Sequence, residues 1–272
     1  MKQNRLSTEQ KQQIVELLAT GLSKYQVATQ MGIEWKQVDY WDKNKARVAE
    51  LVYARDLKSR VERHTGSSPV SCTSEQSYAY VLGLYLGDGC IVNTHRDGVQ
   101  DLRIFQDVKY PDLAAEHIAA LSLLYPTNKA TILPTSRNIS VVHVYSSLHS
   151  LYFPQQGAGL KHNRNVALLP WQQDIVTRYP AALLRGLIQP DGCRYNHRVG
   201  KQTYVKYNFT NCSADIINIA QNVSLLLGLA PTIHSRPSVS SKGELTGATK
   251  HTITYNKRED VKILETIIGP KS

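Results

Sequence analysis

The sequence predicts an α+β protein, an N-terminal three-helix unit followed by two pseudo-symmetric halves, each in the order αββαββα. Two observations lead to this class. Over residues 1 to 45 the apolar side chains recur at helical spacing between residues that cap helices. Further on, SYAYVLGLYLGDGC (77–90) and PAALLRGLIQPDGC (180–193) are each an apolar helix ending in Asp-Gly-Cys, and the same succession of strands and helices follows both. The boundaries drawn from these signals are 1–50 for the helical unit, 51–76 for a linker, and 77–165 and 166–272 for the two halves.

In the first unit Ser7 caps a helix and Gln10, three residues on, completes a capping box. Ile14, Leu17 and Leu18 supply its apolar stripe and Gly21 closes it. Ser23 caps a second helix containing Val27 and Ala28, Gly32 makes a tight turn, and Val38 and Trp41 mark a third helix. The short second helix, the glycine turn and the basic third helix resemble a helix-turn-helix of the homeodomain-like or resolvase-like kind. That resemblance implies a third helix in a major groove, with Lys36, Gln37 and Tyr40 at base edges and Lys43, Lys45 and Arg47 nearer phosphates. A small bundle with a solvated basic face is the other reading of the same residues.

The segment HTGSSPVSCTS (64–74) has no apolar period and consists of residues that interrupt structure. It reads as a flexible linker, or as a coding trace. Codons exist for Thr65 to Ser74 that spell the TΨC arm and acceptor end of a transfer RNA gene. Under both readings it has no fold of its own.

In the first half, the apolar helix is followed by strands at Ile91–His95 and Leu102–Gln106 and a helix at Pro111–Leu124. Strands at Ala130–Pro134 and Ile139–Tyr145 and a short helix at Ser147 complete it. In the second half the counterparts are strands near Arg194–Arg198 and Tyr204–Thr210 and a helix over Ser213–Leu227. Strands around Thr232 and His251–Tyr255 and a helix from Lys257 follow. The stretch FPQQGAGLKHNR (153–164) joins the halves as a loop that meets phosphates through Lys161 and Arg164.

Charge is placed unevenly. Residues 1–74 carry 12 basic and 8 acidic side chains, 75–170 carry 7 and 7, and 171–272 carry 13 and 7, so the net +10 sits at the two ends. A polyanion is the partner this distribution favours, double-stranded DNA first among them, because each phosphate neutralised releases counterions. Cys72, Cys90, Cys193 and Cys212 form no Cys-x-x-Cys pair, which argues against a structural zinc or a disulfide framework. No apolar run has membrane-spanning length and MKQNRLSTEQ lacks a signal-peptide core, so a cytoplasmic protein with no membrane partner is expected.

VLGLYLGDG (81–89) and LLRGLIQPDG (183–192) resemble the two copies of the LAGLIDADG (DOD-type) motif of single-chain homing endonucleases, and the resemblance covers residues 75–272. Gly83 and Gly186, then Gly87 and Pro190 four residues later, then the terminal Asp-Gly, fall where that motif has them. These small residues on one face let the two helices pack backbone to backbone about a pseudo-twofold axis. The resemblance then implies that Asp88 and Asp191 share Mg²⁺ (or Mn²⁺) ions, which suits phosphodiester hydrolysis by hard, oxygen-ligated cations. The first acidic position of the motif is Leu86 in one copy and Gln189 in the other, and in the family it is not the essential carboxylate.

The family also implies a polar residue on the second strand that orients water, matched here by Gln106 and Thr210, and a basic residue, for which Lys129, Arg137, Arg236 and Lys250 are candidates. By the period of two, Arg194, Asn196 and Arg198 share one strand face, as do Lys206, Asn208 and Thr210, with Tyr207 and Phe209 opposite. Asn93, His95, Arg96, Arg103 and Gln106 are their counterparts in the first half. Such faces suit base edges and phosphates. The expectation is a monomeric, site-specific double-strand DNA endonuclease of a mobile element, free-standing because the chain ends IIGPKS without the His-Asn of an intein. A non-cleaving LAGLIDADG/helix-turn-helix transcription regulator and an RNA maturase are the alternatives.

Overall fold

The computed structural model describes residues 6–63, 67–96, 98–133, 135, 138–239 and 245–269. They form two compact units, Met1–Ser67 and Ser68–Ser272.

The first unit holds α1 (Thr8–Ala19), α2 (Lys24–Met31), α3 (Trp35–Lys43) and α4 (Lys45–Arg63). Ser7 and Gln10 exchange capping bonds at 2.8 and 3.2 Å, and Ser23 and Gln26 repeat the device at the start of α2. Gly32 ends α2 at φ 63°, a left-handed conformation that costs a glycine nothing. Ile14, Val27, Ala28 and Val38 are the buried centre, with Leu17, Leu18 and Trp41 around them. Residues 51–63, expected as linker, are helical instead. α4 runs through them because Val48 and Leu57 are buried and Arg55 pairs with Glu9 on α1 at 3.0 Å.

His64 to Gly66 lie outside the described residues, but the end of the same segment is folded, contrary to expectation. Val70 is buried, Cys72–Ser74 form a single 3₁₀ turn, and the Ser74 hydroxyl donates to the Leu123 carbonyl at 2.9 Å.

The second unit begins with α5 (Glu75–Leu86), β1 (Cys90–Asn93), β2 (Gln100–Asp107) and α6 (Pro111–Leu124). β3 (Thr131–Leu133), β4 (Ile139–Ser146) and α7 (His149–Tyr152) complete one half. After α8 (Pro170–Arg178), the order repeats as α9 (Pro180–Asp191), β5 (Gly192–Val199), β6 (Gln202–Asn211), α10 (Ala214–Leu226), β7 (Thr232–Val239), β8 (Leu245–Tyr255) and α11 (Arg258–Ile268). Each half thus carries a four-stranded antiparallel sheet, ordered β1-β2-β4-β3 and β5-β6-β8-β7. α8 has no counterpart among the elements expected from sequence. Pro170 starts it, Trp171, Ile175 and Val176 bury one side, and Arg178 at its end makes a two-pronged ion pair with the buried Glu75 of α5.

Helices cover one face of each sheet. Leu102, Ile104, Val142 and Val144 line the covered face in the first half, and Tyr207, Phe209, Ile253 and Tyr255 in the second. All four cysteines are free thiols, and no helix among the described residues is long and apolar enough to cross a membrane.

Candidate catalytic centre and nucleic-acid face

The centre is built by two helices in backbone contact. A Cβ placed on Gly186 would lie 2.2 Å from the Tyr80 carbonyl oxygen, and one on Gly83 would lie 2.4 Å from that of Leu183. Real side chains do not approach so closely, so glycine at both positions lets α5 and α9 meet main chain to main chain. One turn further, a Cβ on Gly87 would come within 3.2 Å of both Asp191 Oδ2 and the Pro190 ring. All four residues expected at the helix interface, Gly83, Gly87, Gly186 and Pro190, are there.

The Asp-Gly that ends each helix has its own steric reason. The chain folds back so tightly that a Cβ on Gly89 would sit 2.6 Å from the Tyr85 Cα, and one on Gly192 2.4 Å from the Ile188 carbonyl oxygen. Asp88 and Asp191 are therefore delivered at the ends of paired helices, Asp88 exposed and Asp191 half-buried, with Asp191 lying against Gly87. The positions that depart from the motif point elsewhere. Leu86 is fully buried, and Gln189 is buried with its Oε1 accepting from the Tyr80 hydroxyl at 2.5 Å while its Nε2 faces Glu116 and the Ile268 carbonyl at 3.4 Å. An amide serves there because it both accepts and donates; a carboxylate would face Glu116 without a proton to give.

Beside Asp88 lies a cavity of about 330 Å³, lined by Gln106, His117, Gln189 and Pro190 among others. Neither amide atom of Gln106 and neither ring nitrogen of His117 has a hydrogen-bond partner. Buried polar atoms require partners, and the space accommodates several waters, so the buried Gln106 amide is left to bond water in the cavity that Asp88 also lines. Burial, helped by the Arg185 guanidinium, lowers the His117 imidazole to about 4, which keeps it neutral at pH 7.

The matching of the halves needs correcting by one residue. Cys90 pairs with Arg103 and Cys193 pairs with Asn208, so the equivalent of Gln106 is Asn211, whereas Thr210 corresponds to Phe105. Thr210 bonds the Thr252 hydroxyl at 3.0 Å on the open face, and Asn211 Oδ1 accepts from the Ser213 amide.

Among the described residues no cluster of three or more His, Cys, Asp or Glu side chains could hold a metal ion. Two carboxylates and an amide remain. That donor set is all oxygen where it is charged, and it fits a hard cation that keeps several waters and takes its other ligands from a phosphate.

Among the described residues the cation brought to this centre is Lys161, which the sequence marked for phosphates and not for this place. Its ammonium is turned inward to the carbonyls of Tyr85, Leu86, Gly87 and Gly89, at 2.5 to 3.0 Å, and stands 5.3 Å from the Tyr85 ring. Burial lowers its pKa to about 8, against the pull of the Asp191 and Asp88 carboxylates. Arg164 also turns inward, to the carbonyls of Gly157 and Gly159 and the Tyr85 hydroxyl. Lys161 and Arg164, expected at phosphates, are both bonded to main-chain carbonyls. Of the four basic candidates, Arg137 lies outside the described residues, Lys129 is exposed ahead of β3, and Arg236 faces Lys250 across β7 and β8.

Strand pairing sorts the expected DNA contacts. Arg194 pairs with Tyr207, on the helix-covered face, and its guanidinium holds Glu265 of α11 at 2.8 Å. Lys206 and Asn208 lie on the opposite, open face, so the two trios of the second half do not share a surface. Asn196 and Arg198 are exposed towards the hairpin turn, where Arg198 Nε donates to the Gly200 carbonyl. In the first half Asn93 is tied to Gln100 at 3.0 Å beside the covered core. The open face there carries Arg103, aimed by the fully buried Asp101 at 2.7 Å, with His143 on the other carboxylate oxygen at 2.9 Å. Arg96 lies over Tyr145, 5.4 Å from its ring.

In the first unit Lys36 and Tyr40 are exposed on α3, whereas the Gln37 side chain accepts from the Glu34 amide at 3.2 Å. Lys43 and Lys45 are paired with Asp39 and Asp42 at 2.8 and 3.1 Å. Arg47 bonds the Tyr40 hydroxyl at 3.3 Å.

The paired helices ending in two aspartates, with a four-stranded sheet in each half, are the arrangement that the LAGLIDADG resemblance implies. Residues 178–269 match the family model described as a LAGLIDADG-like domain. No curated protein sequence matches the chain. Among solved structures, the chain is similar to the homing endonuclease I-DmoI in complex with DNA and Mn (19% identity, 72% of this chain, 98% of that one, TM-score 0.46). It is similar also to the homing endonuclease I-WcaI bound to its DNA recognition sequence (12% identity, 74% and 84%, TM-score 0.47). A third similarity is to the N-terminal LAGLIDADG domain of DUF199/WhiA (11% identity, 80% and 91%, TM-score 0.43).

Proposed function

We propose that the protein is a site-specific double-strand DNA endonuclease of the homing type, using Mg²⁺ or Mn²⁺. The observation that supports it most is the delivery of Asp88 and Asp191 by helices in main-chain contact, Asp191 Oδ2 lying 3.2 Å from where a Gly87 Cβ would stand. Both carboxylates act on the buried Lys161 ammonium, and oxygen donors gathered in this way suit a hard divalent cation. In this reading Asp88 and Asp191 hold the divalent ions, which would supply Lewis-acid stabilisation to a phosphodiester and activate the attacking water. Gln106, free in its cavity, orients water at Asp88. Arg103, aimed by Asp101, with Arg96, Lys206 and Asn208, reads the DNA from the open faces. α3 of the first unit adds a helix-turn-helix contact through Lys36 and Tyr40, and the protein acts as a monomer because both motif copies lie in one chain.

The test uses DNA of the gene's own locus, intact and with the insertion removed, incubated with the purified protein in Mg²⁺. Metal-dependent cutting of the uninterrupted site, abolished in Asp88→Asn with Asp191→Asn, is the expected outcome. Binding without cutting places the protein among regulators, and cutting that survives both substitutions removes the aspartates from the chemistry.

A further inference from the structure

A helix ends with carbonyls that have no partner within it. α5 resolves this in an unusual way. The Gly87 amide donates to the Gly83 carbonyl at 3.0 Å and the Gly89 amide to that of Leu84 at 2.9 Å. The next carbonyls, Tyr85, Leu86 and Gly87, and then that of Gly89, all converge on the ammonium of Lys161, 72 to 76 positions away. Four oxygens share three N–H donors, an oxygen cage of the kind that otherwise surrounds a metal cation. The segment carrying the lysine is itself braced. Lys161–Asn163 form a 3₁₀ turn, and Arg164 closes the preceding Gly157–Gly159 loop onto itself and reaches the Tyr85 hydroxyl at 3.4 Å.

We propose that Lys161 is a positioning residue of the catalytic centre. Its ammonium, supplied by the connector between the halves, locks the Gly87–Gly89 turn and so fixes where Asp88 stands. Asp88 lies between two of the caged carbonyls, those of Gly87 and Gly89, and Asp191 packs on Gly87. One fixed positive charge therefore holds the main chain on either side of one carboxylate and the surface beneath the other. The connector is then a working part of the centre rather than a tether, and the end of α5 depends on it. The functional half of this inference rests on the nuclease reading.

Lys161→Met keeps the aliphatic stem against Tyr85 and removes the charge, and Lys161→Arg restores a charge. In the full-length protein, amide exchange at Gly87 and Gly89 in Lys161→Met is expected to rise about tenfold or more, with Gly192 at the end of α9 unchanged. On the same DNA, the single-turnover cutting rate in Mg²⁺ should fall about tenfold or more while affinity measured in Ca²⁺ stays within about twofold, and Lys161→Arg should recover part of the rate. Unchanged exchange at Gly87 and Gly89 overturns the proposal. So does exchange that rises uniformly with a lower melting temperature, or a locally loosened turn that cuts at the wild-type rate. If the wild-type protein binds its site without cutting, the nuclease reading fails by itself, and the exchange at Gly87 and Gly89 still decides whether Lys161 holds the turn.

Discussion

Replacing Gly186 by alanine tests the construction of the helix pair. The new methyl group would stand 2.2 Å from the Tyr80 carbonyl oxygen and 3.0 Å from both the Gly83 Cα and the Leu84 amide nitrogen. Every one of these atoms is main chain, so no rotamer change relieves the contact. An ordinary approach of a methyl carbon requires α5 and α9 to separate by about 1 Å, which forfeits dispersion along the whole pair. Overpacking of this kind costs about 1–3 kcal/mol, and an unyielding backbone puts this site at or above the upper end. Alanine's better helix propensity returns about 1 kcal/mol. The net is a loss of about 2 kcal/mol, or a melting temperature lower by roughly 4–8 °C for a unit of this size. Gly157→Ala is the control, since its nearest neighbours would be atoms of the Arg164 side chain at 3.7 Å and its cost should stay within about 0.5 kcal/mol. Thermal and urea unfolding of both variants measure the difference. If Gly186→Ala melts with the wild type, the two helices are not in the contact described here and the pairing of Asp88 with Asp191 loses its basis.

Acid should destabilise the second unit through two histidines. Burial holds His117 and His149 at about 4, below the 6.5 of a free imidazole, so the unfolded chain binds protons first. Their stability contribution is complete above pH 6.5 and drains away as pH falls towards 4, by about 2 kcal/mol each at pH 5. NMR titration should find both midpoints near 4, and midpoints near 6.5 would contradict the burial. On the DNA side, Arg103→Ala should weaken specific binding by about 1–3 kcal/mol because Asp101 aims this side chain at the open face. Arg194→Ala should leave affinity nearly unchanged, since Arg194 serves Glu265 behind the sheet. Anisotropy titrations at fixed salt compare the two, and equal losses would show that strand register does not sort the contacts.

Where a signal is local, the sequence carried it. The Ser7–Gln10 and Ser23–Gln26 caps need only residues three apart, and the order of strands and helices in both halves follows apolar periods that survive folding. The helix pair was legible because main-chain contact demands small residues, and Gly83 and Gly186 have few other reasons to interrupt so apolar a helix. What depends on pairing between strands was not. Alternation shows that Arg194, Asn196 and Arg198 share a face, but which face is covered is settled only by Arg194 lying opposite Tyr207. The same lack of register put Thr210 where Asn211 belongs. α4 was missed because its buried contacts, Val48 and Leu57, are sparse among charges. Lys161 was marked as a phosphate contact but carried no signal of the role it takes: its partners are main-chain carbonyls, which any sequence supplies, and they lie in a remote helix.

Duplication fixed the frame of the two halves and left their chemistry unlike. With Cys90 and Cys193 as the common origin, Asp101 corresponds to Lys206 and Arg103 to Asn208. One open face therefore presents an arginine braced by a buried carboxylate and His143, and the other presents a lysine and an amide at the same two places. A guanidinium prefers the paired acceptors of a guanine, whereas an asparagine side chain matches the acceptor and donor of an adenine. Two such faces cannot favour the two arms of a perfect palindrome equally, so a target recognised by this chain should be asymmetric at those positions. The same inequality continues to the centre, where Gln106 opens into a cavity beside Asp88 while its counterpart Asn211 is held by the Ser213 amide. If both strands of a DNA duplex are cut, the two cuts are then made by sites of different composition, and a nicked intermediate with one preferred strand is the physical consequence.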